Sequence, residues 1–158
     1  MSTMIAKVLK RIKAKELNFC PWETLLMTGY FTDGVFAMIG SERLKERAKT
    51  APKLSSFYVP KERIERLFIT TGEHAEYLGS EAMHSDVTAI GDRAYLFRSS
   101  VNTRRKKWRY DGEIVDWLDE QFPCSVKRIE GDLLRWIVDG KCVAVLRGIP
   151  APKKASFK

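Results

Sequence analysis

The sequence predicts a single α+β domain over residues 1–150, built from a mainly antiparallel sheet and about three helices, with a loose basic tail at 151–158. Apolar residues recur at helical spacing in three segments, while short apolar runs separated by Gly-containing turns fill much of the remainder. The 158-residue chain is 44% hydrophobic, which is enough for one substantial core.

The first predicted helix covers residues 4–16. Its apolar stripe follows the i, i+3, i+4, i+7 spacing and consists of Ile5, Val8, Leu9 and Ile12. The opposite side carries Lys7, Lys10 and Lys13. This helix is either a surface element that lysines keep soluble or a cationic face that lies along phosphates.

Pro21 is expected to end any helical continuation. Two strand-like runs, Thr24–Phe31 and Val35–Ile39, flank Asp33-Gly34, and Asp-Gly between apolar runs predicts a hairpin. Residues 40–53 are polar and basic, and we expect a loop or a frayed strand there.

The segment "LSSFYVPKERIERLF" predicts a short strand that ends at Pro60, followed by a helix, because Pro is favoured at a helix start. The buried stripe of this helix is expected to contain Ile64, Leu67 and Phe68. Its exposed charges are Lys61, Arg63 and Arg66.

Short strands are predicted between residues 73 and 100, at "HAEYLG", "VTAIG" and "RAYLFRS". A helix over 112–122 is expected next, with Asp111 as its cap and Pro123 at its end. Its apolar stripe contains Ile114, Trp117, Leu118 and Phe122. The runs "CSVKRIEG", "DLLRWIVDG" and "KCVAVLRGI" then predict a meander that turns at Gly131-Asp132 and Asp139-Gly140.

The two later helices suggest a repeated unit. "FYVPKERIERLF" and "KKWRYDGEIVDWL" align at an offset of fifty residues, which superposes the apolar stripes of both helices. The unit would consist of a strand, a connection, a second strand, a helix and a meander, in that order. Chance similarity between two parts of an α+β chain is the alternative explanation.

The order of these elements resembles the DNA sliding-clamp, or processivity-factor, fold over about residues 4–149. The similar segments are "VLKRI" in the first helix, "YFTDGVFAMIG" at the hairpin, and "FYVPKERIERL". The resemblance implies helices on one face, sheet on the other, and DNA contacts from the helix cations Lys7, Lys10, Lys13, Lys61, Arg63 and Arg66.

The sequence departs from that family in two ways. A clamp chain has two or three domains, whereas this one has room for about one, so a ring would require several copies of the chain. The resemblance equally implies a stand-alone relative of the kind that a phage or plasmid carries. In addition, the exposed side of helix 112–122 is acidic and would repel DNA, since it carries Glu113, Asp116, Asp119 and Glu120.

The net charge of +8 and the pI of about 9.5 favour a polyanionic partner, of which nucleic acid is the commonest. The charge is concentrated in two clusters, one at residues 7–15 and one that contains Arg104, Arg105, Lys106, Lys107 and Arg109. In "KWRY" basic and aromatic residues alternate, so a strand would turn Trp108 and Tyr110 toward one face and the cations toward the other. We expect the aromatics to point inward and the cations outward; the reverse would make the rings stacking platforms.

Catalytic and metal-binding motifs give weaker signals. Asp116 and Glu120 are i, i+4 neighbours that could bind Mg²⁺ in a nuclease. His74 and His84 could meet nearby carboxylates across a hairpin, but two polar residues beside a solvated turn are the favoured explanation. The chain has no phosphate-binding Gly-rich loop and no nucleophile elbow. We therefore predict no catalytic residues, no metal and no cofactor.

Compartment and partners follow from the same composition. The cysteines Cys20, Cys124 and Cys142 are expected to be reduced packing residues in a cytoplasmic protein, and no apolar run is long enough for a bilayer. The sequence favours a non-enzymatic protein that binds the DNA or RNA backbone without sequence preference. A small regulatory module that binds an acidic protein surface is the alternative, and a metal-dependent nuclease is a third.

Overall fold

Two antiparallel sheets and four helices make up the part of the chain that the computed structural model describes, which is residues 19–51, 57–68, 82–101 and 108–150. The helices are α1 (Pro21–Thr28), α2 (Glu42–Thr50), α3 (Lys61–Phe68) and α4 (Gly112–Gln121). The strands are β1 (Tyr30–Thr32), β2 (Phe36–Ile39), β3 (Met83–Ile90), β4 (Arg93–Ser100), β5 (Trp108–Asp111), β6 (Val126–Glu130), β7 (Leu133–Val138), β8 (Lys141–Arg147) and β9 (Ile149–Pro150). The predicted α+β class is confirmed. The expected helix at 4–16, the strand "HAEYLG" and the tail lie outside the described residues.

The segment before the first hairpin is a helix, so the strand expected from Thr24 onward is wrong. Pro21 occupies the first turn of α1, where a missing N–H costs nothing, and therefore starts this helix. Gly29 ends it at φ +83°, and the Gly29 N–H donates to the Leu25 carbonyl at 2.9 Å. Only Tyr30–Thr32 remains for β1, which pairs with β2 across the predicted Asp33-Gly34 turn.

Residues 42–50 form helix α2, where the sequence had suggested a loop or frayed strand. Ser41 caps this helix, since its hydroxyl accepts from the Leu44 N–H at 3.2 Å. Leu44 and Ala48 lie one turn apart and are buried, while the remaining side chains of α2 are at least partly exposed. Helix α2 packs against α1, and these two buried residues are its apolar contacts. So few apolar positions leave little helical periodicity in the sequence.

The predicted C-terminal meander is confirmed and forms most of the larger sheet, whose strand order is β1-β2-β8-β7-β6. The smaller sheet has the order β3-β4-β5-β9. The chain passes from the larger to the smaller sheet at Gly148, between β8 and β9. A Cβ at Gly148 would lie 2.7 Å from the Asp132 carbonyl oxygen, so this crossing requires glycine.

The main core lies between one face of the five-stranded sheet and the helices α1, α2 and α4. Trp117 of α4 packs its ring against those of Phe31 and Phe36, with centroids 6.4 and 5.7 Å away. Trp117 and Leu118 are buried, as predicted for this helix, and the Asp111 carboxylate caps it by accepting from Glu113 and Ile114 N–H groups.

Helix α3 packs against the opposite face of the same sheet. Ile64 is buried there in a second cluster with Ala37, Cys142 and Val145, which is separate from the main-core residues of β2 and β8. The predicted buried stripe of α3 is confirmed at Ile64, while Leu67 and Phe68 are half-buried. The two proposed repeat helices, α3 and α4, therefore occupy opposite faces of one sheet, and the described helices are not confined to one side.

The coil before α3 also differs from the prediction. Residues 57–60 form no strand. Instead, the Phe57 carbonyl accepts from the Cys20 N–H at 2.8 Å and the Val59 N–H donates to the Thr24 hydroxyl at 3.1 Å. These bonds attach the coil to the start of α1.

Candidate nucleic-acid interface

The cations predicted on α3 are exposed. Lys61, Arg63 and Arg66 all point away from the sheet, and none forms an ion pair with a carboxylate among the described residues. Glu62 and Glu65 share the exposed surface of the helix, so its positive charge is partly offset. This surface, the α3 face, consists of Lys61, Arg63 and Arg66.

A buried arginine fixes the C-terminal end of α3. Arg135 of β7 is 4% exposed, and its guanidinium donates to the Leu67 carbonyl at the end of the helix. Its Nε lies 3.2 Å from a carboxylate oxygen of Glu130. A cation is favourable at this end because unpaired carbonyls give it partial negative charge. Burial raises the pKa of the neighbouring Cys142 thiol, which keeps this thiol protonated beside Arg135.

Arg109 was predicted as an exposed member of the basic cluster, but it is half-buried. Its guanidinium carbon lies 3.9 Å from the centre of the Phe97 ring, in a cation–π contact. Its Nη1 donates to the Thr88 hydroxyl at 3.5 Å, a long hydrogen bond. No carboxylate among the described residues pairs with Arg109, so its charge has no counter-ion in the described part of the chain.

The Arg109–Phe97 contact belongs to a longer row on β4. Arg93, Tyr95 and Phe97 alternate along this strand and therefore point to one face of the smaller sheet. The Arg93 guanidinium carbon lies 5.3 Å from the Tyr95 ring centre, and the Tyr95 and Phe97 ring centres are 6.5 Å apart at an interplanar angle of 28°. We call this surface, with Arg93, Tyr95, Phe97 and Arg109, the outer face.

The opposite side of the smaller sheet faces the core. Tyr110 is fully buried and its hydroxyl donates to the Asp132 carbonyl at 3.2 Å, while Trp108 is partly buried against the same core. The prediction that the rings of "KWRY" turn inward is confirmed, and Arg109 points outward as expected. Sequence reasoning missed the rings of the outer face, although "RAYLFR" shows the same alternation one strand earlier.

Two carboxylates of α4, those of Asp116 and Asp119, are engaged in ion pairs. Asp116 accepts from the Arg98 guanidinium at 2.9 and 3.0 Å, and Asp119 accepts from Lys127 Nζ at 3.0 Å and from Trp136 Nε1 at 2.9 Å. The two ion pairs line an open cleft of about 270 Å³ together with Met83 and Val115. Each charge in the cleft has an opposite partner, so the cleft offers no surplus charge for an ion.

The described part of the chain brings no three His, Cys, Asp or Glu side chains together in a way that could hold a metal ion. His84 Nε2 lies 3.0 Å from the Ser99 hydroxyl, its neighbour across the hairpin. His74 lies outside the described residues. The two carboxylates considered for a nuclease, Asp116 and Glu120, have different surroundings. Asp116 forms an ion pair with Arg98, whereas Glu120 is exposed.

Cys20 and Cys142 are buried, as expected for packing residues, but Cys124 is exposed. It lies with Pro123 in the turn after α4, outside the core, so the expectation that all three cysteines pack inside is wrong for Cys124.

The structure divides the predicted cationic residues between two surfaces. The α3 face lies on the outside of the larger sheet, whereas Arg109 lies on the outer face of the smaller sheet, and the core separates them. The other predicted contacts lie outside the described residues, namely Lys7, Lys10, Lys13, Arg104, Arg105, Lys106 and Lys107.

Comparison of the chain with protein-family models, with curated proteins and with solved structures gives no match. None of the helices within the described ranges is long and apolar enough to cross a bilayer.

Proposed function

We propose that this is a non-enzymatic protein that associates with nucleic acid and contacts its backbone without sequence preference. The observation that carries the proposal is the outer face, where two arginines and two aromatic rings form one row. Neither Arg93 nor Arg109 has a carboxylate partner among the described residues, and an unpaired guanidinium is suited to a phosphate.

The net charge of +8 supports the same proposal, because it attracts a polyanion from a distance. The α3 face supplies a second group of exposed cations. Contacts from arginine and lysine to phosphates hold a protein on a strand without reading its sequence. The clamp-like assembly that the sequence resemblance implies stays a prediction, and so does a ring of several copies.

One observation favours the alternative of a protein-interaction module. Four apolar side chains are exposed on α1 and on the coil that hydrogen-bonds to it, at Leu26, Met27, Phe57 and Tyr58. The coil leads directly into the α3 face. An acidic partner with a few apolar side chains would complement both features, since interfaces combine apolar anchors with charged rims.

A fluorescence-anisotropy titration separates these functions. Labelled single-stranded and duplex oligonucleotides of random sequence are titrated with the protein at about 50 and 200 mM salt. The proposal predicts binding at the lower salt that weakens steeply at the higher one, because bound cations displace condensed counterions. Equal affinity for unrelated sequences is expected as well.

Absence of binding to either probe at low salt would refute the proposal and leave the protein-interaction module as the better candidate. Cleavage of the probe when Mg²⁺ is added would refute the non-enzymatic part of the proposal. A gel of the titrated probe, with and without chelator, provides that check.

A further inference from the structure

We infer that the outer face binds single-stranded nucleic acid, with one base stacked on Tyr95 and a neighbouring base stacked on the Arg109 guanidinium that covers Phe97. This inference rests on the proposed function and specifies its ligand. The Tyr95 ring and the Arg109 guanidinium would bind the strand by stacking on its bases, in addition to the attraction between charges.

The neighbouring rings of the row suit an unstacked strand. The Tyr95 and Phe97 ring centres are 6.5 Å apart. Bases along one strand of a duplex are about 3.4 Å apart, and each base has its faces covered by its neighbours. Tyr95 and the guanidinium above Phe97 can each accept one base only where the face of that base is free, which a single strand permits.

Arg109 rather than Phe97 presents the second stacking surface. Phe97 is only 6% exposed, and the guanidinium carbon of Arg109 lies 3.9 Å from the centre of its ring. A guanidinium plane stacks on bases as aromatic rings do, so Arg109 can carry a base above Phe97. Its Nε is buried and its Nη1 donates to the Thr88 hydroxyl, which leaves Nη2 to donate to a phosphate.

The surroundings of the row indicate the path of the backbone. Asp86 lies opposite Phe97 on β3 and is exposed, so it disfavours a phosphate on that side. On the other side of Phe97 lies Asp111, whose carboxylate already accepts two N–H groups at the start of α4. We therefore place the phosphates at the two guanidiniums, that of Arg93 and that of Arg109, which reaches across β4 to the Thr88 hydroxyl on β3, and the bases over the rings of β4.

Apolar side chains extend the surface at both ends of the row. Ile90 lies opposite Arg93 and is 51% exposed, and Ile149 lies opposite Arg109 and is 39% exposed. Exposed isoleucines beside arginines that pair with no carboxylate in the described part of the chain fit a ligand that combines apolar base faces with anionic phosphates. An acidic protein would match the charge, whereas a ring beside a guanidinium plane is suited to flat ligands such as bases.

The test removes a ring from the protein and bases from the ligand separately. Anisotropy titrations use (dT)12, the same strand with two adjacent abasic units at its centre, and a 12-base-pair duplex. The protein variants are Tyr95→Leu, which retains an apolar side chain without the ring, and Arg109→Lys, which retains the charge without the plane. Tyr58→Leu, on the coil before α3, is the matched control.

The inference predicts that (dT)12 binds more tightly than the duplex at about 150 mM salt. Tyr95→Leu is expected to weaken (dT)12 binding about 5- to 150-fold, which is the range for loss of one stacked base. Arg109→Lys should weaken it as well, and Tyr58→Leu should leave it unchanged. Abasic units should weaken binding to the wild type more than to Tyr95→Leu, because only the wild type has the Tyr95 stack to lose.

Equal loss from abasic units in both proteins, or no loss from Tyr95→Leu, would overturn the inference. If binding nevertheless remains salt-dependent and equal for single strand and duplex, the proposed function stands without stacking. If neither probe binds at low salt, the proposed function fails and the inference fails with it. If circular dichroism shows that Tyr95→Leu does not fold, the test relies on Arg109→Lys and on wild-type binding to the abasic strand. Unchanged affinity in both experiments would contradict stacking.

Discussion

At the residue scale, the aromatic side chains divide into those that build the core and those that face outward. The apolar spacing of helix 112–122 correctly predicts that Trp117 is buried, and the alternation of "KWRY" correctly predicts that Tyr110 is. The same reasoning could not decide the role of Tyr95 and Phe97. A strand pattern shows that alternate residues share a face, but which face meets the core depends on how the sheet packs in three dimensions.

The Trp117 ring should be among the largest single contributors to stability. It is 7% exposed and contacts Phe31 and Phe36. Replacing Trp117 by Ala should lower the free energy of unfolding by about 3–5 kcal/mol, through lost burial and the cavity that remains. Urea denaturation followed by circular dichroism measures this change. Leu26→Ala, at an exposed position of α1, is the control; a Trp117→Ala protein as stable as this control would mean that the packing is wrong.

At the element scale, the helices with strong apolar stripes were predictable and the two short N-terminal ones were not. Helix α2 buries only Leu44 and Ala48. Its sequence is therefore mostly polar and lacks the repeated apolar spacing by which a helix is predicted. Helix α1 contains residues that also suit strands, and its Thr24 and Thr28 hydroxyls donate to carbonyls four residues earlier. Packing of Trp22 and Leu25 in the core outweighs the weak local preference here, as tertiary contacts often do.

The start of α4 provides a test of an element boundary. The Asp111 carboxylate accepts from the Glu113 N–H at 2.9 Å and from the Ile114 N–H at 3.3 Å. Asp111→Ala would leave both groups without this partner and should destabilise the protein by about 1 kcal/mol. Asp111→Asn, which keeps an acceptor oxygen, should retain most of that stability. Equal losses in the two variants, measured by thermal unfolding, would argue against capping.

At the scale of the whole molecule, the class of fold and the basic character could be predicted from the sequence, while the distribution of the cations could not. Lys61, Arg63 and Arg66 are exposed as expected, but the core separates them from Arg109. Arg93, Tyr95 and Phe97 did not stand out in sequence, because a single arginine and two aromatics in a strand are common.

The most direct test of nucleic-acid binding at the outer face is the slope of log affinity against log salt for (dT)12, compared between matched variants. The variant Arg93→Gln/Arg109→Gln removes two charges from the outer face. The control Lys45→Gln/Lys49→Gln removes two charges from α2, where both lysines pair with glutamates of the same helix. Each lost phosphate contact should make the slope shallower by about 0.7 for single strands, so the outer-face variant should lose up to about 1.4 while the control keeps the wild-type slope. Equal slopes in all three proteins would contradict the assignment of the phosphate contacts to this face.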